Sequence, residues 1–101
     1  MTRETALEVI GDCRRRIDEL DLRILELLNQ RTSVVELIGQ AKQVLDLPIY
    51  EPRREDEVYA NITQHNGGPL PSEAVKRVFE RIIDEMRAVQ KRRMLEGKED
   101  G

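Results

Sequence analysis

Six residues of this chain have types and places that can do chemistry together: Arg14, Arg31, Lys42, Arg54, Glu55 and Gln90. Most of them interrupt or border an apolar stripe. Arg31 stands in a seven-residue series whose other members are Ile10, Ile17, Ile24 and Ile38. A guanidinium there can snorkel to water, pair with a buried carboxylate, set helix register or bind an anion. Lys42 lies beside the same stripe, about 16 Å further along a helix axis. It can serve as a solvated lysine on the C-terminal dipole, or grip a small anion together with Arg31. Glu55 shares a helical face with Val58 and Ile62. A carboxylate on that buried face needs a partner, and Arg31 and Arg54 are the candidates. Gln90 borders the stripe that contains Met86 and Val89, either as an ordinary boundary residue or as an uncharged donor.

Arg14 is about 42 Å from Lys42 on a straight helix, too far to share a ligand within one chain. A second, antiparallel chain can bring the two together. A pocket of Arg31, Lys42, Arg54, Glu55, Gln90 and a partner's Arg14 is cationic, with one carboxylate and one neutral donor. It suits a small dianion that carries a hydroxyl. A nucleophile–base pair is not legible: Cys13 reads as core, and His65 as solvent-facing near a helix end. Metal-ligand spacing is lacking, and Gly67-Gly68 reads as a turn rather than a phosphate loop. If the chain is an enzyme, its expected tools are positioning and electrostatics.

The elements that must position these residues are three helices, expected at about 5–45, 52–66 and 72–94, with 95–101 a flexible tail. The heptad series, and a second one of Cys13, Leu20, Leu27, Val34 and Ala41, make the first helix. Asp46-Leu47-Pro48 stops it, and Pro52 suits a first helical position. Val58, Tyr59 and Ile62 face inward on the second helix. NGGPLP is a turn signal, and Ser72 reads as the N-cap of the third helix. That helix carries Val75, Val78, Phe79, Ile82, Met86 and Val89 as its stripe.

A first helix of that length spans about 60 Å, against a radius of gyration of about 13 Å for a compact chain of this size. Two shorter helices cannot cover its stripe, so the fold class expected is all-α, with three helices per chain in an intertwined six-helix homodimer. The whole chain, 1–101, reads as a single domain.

Composition narrows the partners. The formal net charge of −3, with only short basic clusters, disfavours nucleic acid. No apolar run approaches a membrane span, and MTRETALEVIG carries charges where a signal peptide needs apolar residues. The single cysteine fits a reducing, cytoplasmic setting.

From about Cys13 to Arg92 the chain resembles the all-helical, type II chorismate mutases. RRRIDELDLRILELLNQR is similar to the family's opening block, GQAK to the block ending in its active-site lysine, PRRE to the start of its second helix, and FERIIDEMRAVQ to its closing helix. The resemblance implies an isomerase that rearranges chorismate to prephenate in aromatic amino-acid biosynthesis, a reaction that needs no cofactor and no metal. It implies that Arg31 and the partner chain's Arg14 clamp carboxylates, that Lys42 and Gln90 donate to the ether oxygen, and that Glu55 accepts from the ring hydroxyl while Arg54 holds Glu55. Met86 stands where some members carry a small hydroxyl residue that touches a substrate carboxylate, and it cannot replace that contact. Glu51 stands where some have Asp, and its backbone is expected to matter more than its side chain. The resemblance leaves open a monofunctional enzyme or one domain of a bifunctional protein, and a shikimate-pathway enzyme as a partner. Two rivals remain: a lyase of the same fold acting on isochorismate, which Glu55 disfavours, and a non-catalytic helical dimer.

Overall fold

The computed structural model describes the backbone of residues 1–100 and the side chains of 1–96. It contains three helices, α1 (Arg3–Leu45), α2 (Pro52–His65) and α3 (Ser72–Asp100). The chain forms two compact units, Met1–Ser33 and Val34–Gly101.

The unit Met1–Ser33 is helical from Arg3 onward. It starts earlier than the apolar series implies because Thr2 caps it. The Thr2 hydroxyl accepts the Thr5 N–H at 3.1 Å, and the Thr2 carbonyl accepts the Ala6 N–H at 2.9 Å. The heptad residues are largely bare: Ile10, Ile17, Leu20, Ile24 and Leu27 are 46–62% exposed. Thr32 and Ser33 turn their hydroxyls back onto the carbonyls of Leu28 and Asn29, a bond that satisfies them inside a helix.

In the unit Val34–Gly101, the end of α1 buries Val35, Gly39 and Lys42, spaced so that they share one helical face. Ile83, Met86 and Gln90 make the matching face of α3. The two helices approach closely at Gly39, where a Cβ would lie 3.5 Å from Gln90 Cγ. An ion pair between Arg93 Nη2 and Glu36 Oε2, at 2.6 Å, spans the same helices. α2 packs on α3 with Glu55, Val58, Tyr59 and Ile62 half-buried.

Three sequence expectations change. Val78 is 53% exposed, while Ile83, left out of the stripe, is 6% exposed. Ile82 and Ile83 are adjacent, and the register that buries Met86 and Gln90 and half-buries Phe79 selects Ile83 and turns Val78 outward. Ser72 is the first residue of α3 rather than its cap, and its Oγ accepts from Asn66 Nδ2 at 3.0 Å. Asn66 also donates to the Leu70 carbonyl and accepts from the Gly68 N–H, so one side chain ties the turn together. Gly68 has φ 75°, a left-handed conformation that glycine adopts without steric cost. Finally, α3 continues to Asp100, past the expected end near 94. Residues 91–96 are mostly good helix formers, and Gly97 alone costs only about 1 kcal/mol. The expected tail otherwise lies outside the described residues: the side chains of 97–100 and all of Gly101.

Candidate active site

The site is built on the way α1 stops. The Leu47 N–H reaches back to the Lys42 carbonyl at 2.8 Å, and the Asp46 N–H to the Gln43 carbonyl at 3.3 Å. Asp46 sits between them at φ 55°. This pair of bonds around a left-handed residue is a Schellman closure, with aspartate where glycine is usual. The chain then reverses through Pro48 and runs back past the Lys42 side chain.

Lys42 is 7% exposed, an unusual burial for a lysine. Its Nζ donates to the Ile49 carbonyl at 2.9 Å and to Gln90 Oε1 at 3.2 Å, and lies 2.7 Å from Glu51 Oε1. An ammonium has three protons, and these three acceptors use them all. Glu51 makes no side-chain bond to its own helix start, because its carboxylate is on Lys42. Its carbonyl accepts the Glu55 N–H at 3.0 Å. The Glu51 side chain thus has a task in the fold beside that of its backbone: a buried cation needs a counter-charge, and the Glu51 carboxylate supplies it.

Gln90 is likewise 7% exposed. Lysine only donates, so Gln90 must offer it the carbonyl oxygen. The amide nitrogen is thereby directed away from Lys42 and carries two hydrogens that can meet a ligand. Met86, one turn earlier, is 8% exposed and contributes apolar wall.

Glu55 is held, but not by Arg54. Arg54 is 64% exposed and pairs with Glu57 Oε2 at 3.2 Å. Adjacent helical residues point in different directions, so Arg54 cannot share the face of Glu55. The cation beside Glu55 comes from α3: Arg87 Nε lies 3.5 Å from Glu55 Oε2. Arg87 also sits 5.4 Å from the Tyr50 ring centroid. Nearby, burial pushes the Tyr59 phenol above its ordinary value, the carboxylates of Glu55, Glu80 and Asp84 add to the shift, and Arg87 opposes them.

Of the residues singled out from the sequence, Lys42, Glu51 and Gln90 meet at one point. Arg14 and Arg31 belong to the unit Met1–Ser33, where Arg14 is exposed and Arg31 half-buried. Three partners were not singled out: the Ile49 carbonyl, Tyr50 and Arg87. Arg87 carried one signal in the sequence: it directly follows Met86 of the α3 stripe. His65 is exposed, with Nδ1 2.8 Å from the Asn61 carbonyl. Among the described residues no group of His, Cys, Asp and Glu is placed to hold a metal, and no helix is long and apolar enough to cross a membrane. The arrangement can donate hydrogen bonds from a buried cation and a neutral amide, with a carboxylate to accept one.

Known proteins share this framework. Residues 13–91 match the family model described as chorismate mutase type II. A bifunctional chorismate mutase/prephenate dehydratase of Aquifex aeolicus is 34% identical over 90 residues, covering 85% of this chain and 25% of that protein. The chain thus spans about a quarter of the length of such bifunctional relatives. A chorismate mutase structure from Thermus thermophilus superposes with a TM-score of 0.81 at 35% identity, covering 82% of this chain and 94% of that one. A chorismate mutase from Helicobacter pylori, solved in complex with prephenate, superposes with a TM-score of 0.82 at 27% identity, covering 88% and 97%.

Proposed function

The chain belongs to the type II chorismate mutase family, and from that premise we propose that it converts chorismate to prephenate by an intramolecular Claisen rearrangement. The observation that carries the reading is the buried contact of Lys42 Nζ with Gln90 Oε1 at 3.2 Å, between residues 48 apart in sequence. A lysine and a glutamine buried together at the end of a helix are costly to keep, and they are suited to an oxygen that gains negative charge.

The breaking C–O bond places charge on the ether oxygen of the substrate. Gln90 donates to it through Nε2, and Lys42 donates by exchanging one of its present acceptors. Glu51 is the acceptor to leave, because at 47% side-chain exposure water can take over its hydrogen bonds. Both interactions strengthen as charge develops, so they favour the transition state over the bound substrate. Glu55 accepts from the ring hydroxyl. Arg31 and a partner chain's Arg14 hold the two carboxylates and keep the substrate in its reactive, compact conformer. Arg54, at the exposed start of α2, adds positive potential rather than a contact to Glu55.

The same reading calls for a homodimer with shared active sites. The bare stripe of Ile10, Ile17, Leu20, Ile24 and Leu27 supports it. A single helix with that much apolar surface in water is marginal by itself, and burial against a second copy recovers about 25 cal/mol per Å². The low cysteine content favours a cytoplasmic location. A longer native protein and a shikimate-pathway partner both remain compatible with this function.

The test is direct. Purified protein is mixed with chorismate, the loss of ultraviolet absorbance is followed, and the product is identified by chromatography. Prephenate is expected; no prephenate from chorismate, with pyruvate released when isochorismate is supplied in a parallel reaction, would assign the lyase. Arg31→Ala with near-normal turnover would contradict the carboxylate clamp.

A further inference from the structure

We propose that Arg87 is a positioning residue that holds the Glu55 carboxylate in place for the substrate's ring hydroxyl. The proposal rests on the mutase reading of the site. The Glu55 side chain is 17% exposed, so its charge needs a nearby cation. Its sequence neighbour Arg54 is engaged with Glu57. Arg87 is the cation that α3 presents instead.

The geometry is specific about which nitrogen acts. Arg87 Nη2 is 2.5 Å from Asp84 Oδ1, one turn back on α3. The guanidinium stands 5.4 Å from the Tyr50 ring centroid. These two contacts fix the plane and rotation of the group. Its Nε is buried and makes no hydrogen bond. Glu55 Oε2 lies 3.5 Å from that nitrogen, about half an ångström beyond a good N–H···O distance. A buried guanidinium N–H without an acceptor is costly, so the resting site is one small movement from a completed bond. Completing it fixes Oε2 and leaves Oε1 turned to a ligand hydroxyl. A ligand that draws Glu55 into line satisfies Arg87 at the same time, which couples hydroxyl recognition to the packing of α2 on α3.

A fixed planar fork does this and a lysine does it less well, because a flexible ammonium has no Nε to lock. The relevant set is Arg87→Met, Arg87→Lys, Glu55→Gln and the double variant Arg87→Met/Glu55→Gln, each purified as the full chain. Steady-state turnover of chorismate gives kcat and KM, and thermal unfolding without substrate gives a second, activity-independent cycle. Arg87→Met is expected to lower kcat/KM about tenfold, mainly through KM, as loss of a hydrogen bond to a charged group does. Arg87→Lys should recover part of that loss. In the Glu55→Gln background, Arg87→Met should change kcat/KM by less than about twofold, because there is no carboxylate left to hold. The unfolding midpoints should be non-additive in the same sense.

An equal loss from Arg87→Met in both backgrounds, or additive unfolding midpoints, would overturn the proposal. Wild-type protein that forms no prephenate would overturn the mutase reading instead, and the unfolding cycle would then decide the Glu55–Arg87 pair alone.

Discussion

The two stretches of α1 differ in cover: near its end the helix buries one face, whereas no residue of 3–33 is buried. Around Val35, Gly39 and Lys42 the helix is buried, although two of those three residues offer no apolar side chain. Along Ile10, Ile17 and Ile24 it is apolar and exposed. Along α1, burial within one chain thus does not simply track hydrophobicity. The end of α1 is covered because its own chain returns over it to satisfy a lysine. The earlier stretch has nothing among the described residues of its own unit to cover it, which is the ground for proposing a second copy there. The polar residues of the site are held by contacts within one chain, and the proposed dimer would stabilise the long helix by others.

The sharpest way to break that comparison is Ile17→Asp combined with Ile24→Asp. Each removes an apolar group worth about 1.5–3 kcal/mol when buried and places a charge on the proposed interface. Sedimentation should report monomers, the helical circular dichroism should fall, and chorismate turnover should disappear because the partner's Arg14 is lost. A dimer that survives both changes would remove the second copy from that face.

Lys42→Met tests the other stretch. It keeps length and burial but deletes the donor shared by Ile49, Gln90 and Glu51. Loss of one donor to developing charge costs about 10²–10³ in kcat, while helicity and dimerisation should persist. Turnover within a few-fold of wild type would mean that the buried lysine is structural.

Asp46→Gly sharpens the contrast without touching either face. The residue at φ 55° closes α1, and glycine is spared the steric cost that aspartate meets there. Thermal unfolding should show stabilisation of about 0.5–1 kcal/mol, with turnover unchanged. The smallest effect is alkaline. Tyr59 has a raised folded value, so its contribution to stability is whole below the ordinary tyrosine value of 10.0 and is lost as the pH rises through the folded one. Tyr59→Phe should flatten that alkaline decline in urea titrations, and leave the neutral-pH kinetics alone.

Local signals along the chain mark out the helices and the residues that do not belong in them. Periodicity depends on neighbours along the chain, and Pro48, Pro52 and the NGGPLP turn are local instructions, so three helices with nearly these limits were readable. Arg31, Lys42, Glu55 and Gln90 stood out for the same reason, as letters that break a local pattern. Partners were a different matter. Which of Ile82 and Ile83 turns inward, that Glu51 leaves its own helix end for Lys42, and that Arg87 rather than Arg54 faces Glu55 all depend on how separate helices approach each other. Those choices follow from charge burial across gaps of tens of residues. A buried cation takes the counter-charge that the returning chain brings within reach, and only the tertiary structure says which carboxylate that is.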